Sequence, residues 1–157
     1  MPDETLLLLA TEIRNKTFKL LDGLTDAEAR FKAPGMNNSI LWHAGHALVV
    51  VEHLGVVPAS GGPPVLPAGW FEKFSWDSQP RTISDWPRIS EVVLHLQRQL
   101  PRLVEAIAGL SPQRLEQLHD PGSDRSLRLE ILHGLHDEAN HQGEIWLLRK
   151  MFAKRAP

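Results

Sequence analysis

SILWHAGHALVVVEHLG, residues 39–55, is apolar except for three histidines and one glutamate, and it decides the fold. It shows no strand-type alternation and reads as a helix that opens at Asn37, Asn38 or Ser39 and closes at Gly55. Upstream, a first helix runs from Asp3, an N-cap, to Gly23, with Leu6, Leu9, Ile13, Leu20 and Leu24 at helical spacing. Thr25-Asp26-Ala27-Glu28 then has the form of a capping box. Downstream, residues 56–79 (VVPASGGPPVLPAGWFEKFSWDSQ) read as a long Gly/Pro-rich loop. A loop of that length is a functional feature or a cover. A third helix is expected from Ser84 to Gly109, with Pro87 in its first turn and a kink at Pro101. A short helical piece from Pro112 to Gln117 and an Asp120-Pro121-Gly122 turn lead to a last helix from Ser126 to about Ala153. Four long helices and one long connection between the second and third make an all-α four-helix bundle, read as a single domain over residues 1–157.

The 157 residues suffice for a core without covalent staples, and the absence of cysteine rules out disulfides and thiolate metal ligands. The N-terminal apolar run is too short for a signal segment and is preceded by acids, and no apolar stretch approaches membrane-spanning length. A cytoplasmic protein with no membrane partner is expected. Charge is balanced, with 17 basic and 19 acidic side chains. The basic end (Arg149, Lys150, Lys154, Arg155) is an ordinary helix C-terminus, so nucleic acid is not expected as a partner. Eight histidines and five tryptophans, against no tyrosine, stand out.

In the last helix Leu127, Ile131, Gly134, His141, Ile145, Leu148 and Phe152 share one stripe, and Asp137 lies four residues before His141. Burying an ionised aspartate requires a positive partner, and a divalent cation is one. On the second helix Trp42, His43, His46, Val50 and His53 line a face. If the two helices pack face to face, His46 approaches Asp137 and His141. Two imidazoles and one carboxylate make the open ligand set of a catalytic centre. The same spacing also suits a solvated face, or a buried His–Asp hydrogen bond with no metal. His136 falls about 140° from His141 and is expected outside; His95 and His119 are expected at the surface. Glu138 can ligate, act as a base or pair with a histidine, and Glu130 and Glu144 read as outer partners. Trp70, Phe71, Phe74 and Trp76 either roof the site or anchor the loop, and anchoring is the reading adopted.

SILWHAGHALVVVEHL together with LHDEANHQGEIWLLRK, residues 135–150, resembles the DinB/YfiT-like superfamily over nearly the whole chain. The resemblance implies a four-helix bundle, often a homodimer, holding zinc, nickel or another divalent metal. It places the first ligand at His46 and two more, four residues apart before Gly143-Glu144, at Asp137 and His141. The more usual residue at the position of Asp137 is histidine, so the carboxylate changes site charge and metal preference. Relatives that use low-molecular-weight thiols imply a small-molecule substrate and a metal-dependent S-transferase or hydrolase. The alternative is a non-catalytic, stress-associated binding or dimerisation module whose metal is structural or absent.

Overall fold

The computed structural model describes residues 1–155. The chain opens with α1 (Glu4–Leu21) and the single turn α2 (Asp26–Ala29). Next, α3 (Ile40–Val51) passes through a π-helical turn, Glu52–Val56, into α4 (Val57–Ser60). After α5 (Trp70–Phe74) and a 3-10 turn at Pro80–Thr82 come α6 (Ile89–Ala108), α7 (Pro112–Glu116) and α8 (Leu127–Ala153). No strand occurs among the described residues, only an isolated bridge between Leu118 and Ser126. The bundle is built on α1, α3, α6 and α8, with α3 packed most extensively on α8 and α1 lying against both α8 and α6.

Side-chain caps set the helix starts. Asp3 accepts from Leu6 N–H, Ser39 from Trp42 N–H and Ser126 from Leu129 N–H, and Thr25 and Glu28 form the reciprocal capping box. Each such cap contributes about 1 kcal/mol.

Three boundaries differ from the sequence reading. The second helix does not end at Gly55, which lies buried inside the π-turn, where a Cβ would sit 3.1 Å from Leu103. The helical path continues through Pro58, directly after the π-turn, to Ser60. Gly61, in the left-handed region at φ +71°, stops it. The resulting 21-residue path, Ile40–Ser60, is long and apolar enough to cross a bilayer, but 83% of its apolar window is buried inside the bundle. The supposed loop also contains α5, whose Trp70 and Phe74 are buried. Finally, the third helix begins at Ile89, with Pro87 ahead of its cap and Glu91 accepting from Arg88 N–H.

The core divides into two apolar clusters, one around Ile40, Phe74, Leu96 and Leu148 and one around Leu6, Leu103, Leu115 and Ile131. A polar layer runs through the same interior. Arg14 and Glu138, each 1% exposed, form a two-point ion pair at 2.9 and 3.0 Å. Arg14 also donates to Leu96 O and Gln99 Oε1, and Thr17 donates to Glu138 at 2.6 Å. Gln99 and Arg102 donate to Glu52, which also accepts from Val65 N–H. The Glu138 carboxylate therefore faces inward and is neutralised there; it takes none of the site roles left open for it by sequence.

Candidate metal centre

Close approach of α8 to the second helical path creates the site. A Cβ on Gly134 would lie 3.2 Å from Leu54 Cβ and 3.7 Å from Val50 O, so glycine lets the two helices meet there. One turn along, the structure brings together the three residues singled out by sequence. His46 Nε2 lies 3.5 Å from Asp137 Oδ2, and His141 Nε2 lies 3.4 Å from the same oxygen.

His46 is fixed on two sides. Its Nδ1 donates to the carbonyl of Phe74 at 2.6 Å, which leaves Nε2 as a lone pair facing Asp137. Its ring stacks on Trp42 at 4.5 Å with the planes 17° apart. Phe74 reaches this position because residue 45 is glycine: a Cβ there would stand 2.3 Å from the Phe74 ring. Tight packing of α5 on α3 thus sets the proton position on a site histidine.

His141 turns its other nitrogen outward. Nδ1 lies 2.5 Å from Glu144 Oε2 and 2.9 Å from His43 Nδ1, and His43 Nδ1 is 3.1 Å from that same carboxylate oxygen. A carboxylate behind a histidine fixes the tautomer that leaves Nε2 free for a metal.

Electrostatics follow from these contacts. Burial, then the adjacent His141 and His46 imidazoles, push His43 down to about 3, so it is neutral at physiological pH. Burial also lowers His46, more than the Phe74 carbonyl and the nearby carboxylates raise it. For His141 burial acts downward, but Asp137 and Glu144 outweigh it and raise the imidazole above its ordinary value. The Asp137 carboxyl is pushed up by burial and pulled down further by His141 and His46, ending below the usual carboxylate range.

The donor set fits a divalent cation. Asp137 is 29% exposed, yet its Oδ2 is buried and has no hydrogen-bond partner among the described residues. An unpaired buried carboxylate oxygen is costly unless something positive meets it. Around a four-coordinate ion with bonds of 2.0–2.1 Å, neighbouring ligand atoms are about 3.3 Å apart. The observed 3.4 and 3.5 Å spacings match that edge and are too long for good hydrogen bonds.

Other sequence candidates lie elsewhere. His53 bonds to its own helix at Val49 O and packs on Phe71. His133 and His136 are exposed, as expected for His136. His95 is only partly exposed, with its ring 5.0 Å from Trp70, and His119 is likewise half-buried. Glu130 faces Arg125 at 3.6 Å. Trp70 and Phe74 are anchors, as adopted above, whereas Trp76 is 56% exposed and lines a cleft of about 390 Å³ with Asn37, Asn38, Trp42, Ser78 and Arg81. Two participants were not given a role by sequence. His43, three residues before His46, had its spacing as a signal; the Phe74 carbonyl had none, being backbone.

No curated protein matches the chain. Among solved structures, a conserved protein from Enterococcus faecalis superposes with a TM-score of 0.73 at 16% identity, covering 99% of each chain, a likeness of fold. The model of the DinB superfamily matches residues 9–145. With most of its length inside that match, the chain belongs to the DinB superfamily.

Proposed function

We propose that the chain is a divalent-metal-dependent enzyme in which His46, Asp137 and His141 hold the ion, zinc or nickel, and leave coordination positions open for substrate. The observation that carries this reading is the convergence of His46 Nε2, Asp137 Oδ2 and His141 Nε2, with the two nitrogens 3.5 and 3.4 Å from the carboxylate oxygen. A bound ion of this kind acidifies water or a thiol and polarises a carbonyl. Held from behind by Phe74 O and Glu144, the Nε2 atoms of His46 and His141 would be the imidazole ligands. Asp137 would contribute one negative charge to a bound divalent ion, leaving the site with a net positive charge that favours an anionic substrate. A polar cleft lies beside Trp42, whose indole stacks on His46. A low-molecular-weight thiol S-transferase, or a hydrolase, is the activity that follows.

The test is elemental analysis of protein purified without added metal, then thiol-conjugation and hydrolysis assays of the loaded protein. At least one equivalent of metal per chain, reduced in His46→Ala and His141→Ala, is expected. Full occupancy in both variants removes the reading. A homodimer is part of the proposal. Trp146, Leu147 and Met151 leave apolar surface on α8, and light scattering tests whether a second copy covers it.

A further inference from the structure

The triangle behind His141 is more than a support for that ring. Its corners are His43 Nδ1, His141 Nδ1 and Glu144 Oε2, and its edges are 2.5, 2.9 and 3.1 Å. A ring nitrogen donates one hydrogen or accepts through one lone pair, never both. Three mutual contacts of this kind therefore cannot all be full hydrogen bonds. If both nitrogens carry hydrogens, the two N–H groups oppose each other across 2.9 Å. If only His141 does, its bond to Glu144 leaves a His43 lone pair facing a carboxylate oxygen. A cation meeting three lone pairs satisfies every edge at once.

We infer that His43, Glu144 and the Nδ1 of His141 form a second divalent-cation site, joined to the first through the His141 ring. The inference rests on the proposed centre at His46, Asp137 and His141. The edge lengths differ between the two sets in a telling way. Adjacent ligand atoms of an octahedral ion with bonds of 2.0–2.1 Å are about 2.9 Å apart, and the three edges bracket that value. Two imidazoles and one carboxylate on one face of an octahedron, with the other positions open, is a ligand set that first-row divalent metals accept. Glu144, 45% exposed, sits on the solvent side and leaves room for water ligands. His43 is 1% exposed and its Nε2 has no hydrogen-bond partner among the described residues, so its polar contacts all lie on the Nδ1 side.

Proton balance is explicit. With the first ion on Nε2, the hydrogen on His141 Nδ1 leaves to water when the second ion binds, and the ring bridges as an imidazolate. Two divalent ions against Asp137, Glu144 and that imidazolate leave a net charge near +1, spread over two metals.

The experiment is equilibrium dialysis of metal-free protein against Co²⁺, with cobalt per chain measured by elemental analysis and folding checked by circular dichroism. Two cobalt per chain are expected in the native protein. His43→Ala and Glu144→Gln should each hold one, and the conservative Glu144→Gln guards against misfolding. Saturation of the native chain at one cobalt overturns the second site and leaves the first standing. So does retention of two cobalt by both variants. Binding of none overturns both.

Discussion

Gly45→Ala tests how packing sets chemistry in this protein. The added Cβ would stand 2.3, 2.3 and 2.5 Å from three atoms of the Phe74 ring. Ordinary contact begins near 3.4 Å, so the ring must retreat by about 1 Å, an overpacking that costs roughly 1–3 kcal/mol. Phe74 is fully buried and cannot swing into solvent, so the movement carries its backbone along. Its carbonyl holds His46 Nδ1 at 2.6 Å, and a 1 Å retreat takes that contact beyond hydrogen-bond length. Losing the outer partner of a metal-bound histidine typically lowers affinity by about 10–100-fold, or roughly 1.4–2.7 kcal/mol. Competition against a chromogenic chelator measures the affinity, and urea unfolding of the metal-free protein measures the packing cost. Destabilisation with unchanged metal affinity would refute the coupling between α5 and His46.

Arg14→Ala strands the buried Glu138 carboxylate and should destabilise the fold by about 3–5 kcal/mol in urea unfolding, while Arg14→Met with Glu138→Leu recovers most of it. Glu52 is held below its ordinary value: burial acts upward, but hydrogen bonds from Arg102, Gln99 and Val65 N–H prevail. Its contribution is therefore present above the unfolded value near 4.3 and lost as pH falls through the lower folded value. Unfolding scans between about pH 6 and pH 3 should fall less steeply in Glu52→Gln than in the native protein. Metal affinity should drop about tenfold per pH unit below the raised His141 value, because a proton competes with the ion for that imidazole, and chelator competition across pH 5–8 reads the slope. In the metal-free protein the same His141 shift stabilises the fold below the unfolded value near 6.5, and this is lost as pH rises through the folded one. Asp137→Asn keeps the shape but removes the charge, and should weaken binding of one metal equivalent by at least tenfold in the same competition assay.

The bundle was legible because its helices are long and periodic, and the convergence of His46, Asp137 and His141 because they interrupt apolar faces at helical spacing. What escaped had physical reasons. Pro58 and Gly55 look like terminators, but a π-turn absorbs the glycine and the helical path runs on through the proline to Ser60. Arg14 and Thr17 look like solvated residues, although Leu6, Ala10, Arg14, Thr17 and Leu21 make the buried face of α1. The apolar residues Leu9 and Ile13 flank that face, so hydrophobicity pointed one position away from its centre. In α8 likewise, the midline passes through Glu138 and Gln142, which displaces Asp137 and His141 to its rim. A buried charge is read correctly only when its partner, more than a hundred residues away, is known.

Asp137 and Glu138 are chain neighbours with separate employments. The second is locked to α1 by Arg14 and Thr17, so α8 can neither roll nor slide without tearing an interior ion pair. The first is thereby free of any duty to the scaffold. Exchanging aspartate for histidine at 137 would change the donor set while the helix stays anchored, so a lineage can try new chemistry at that position without first rebuilding its frame.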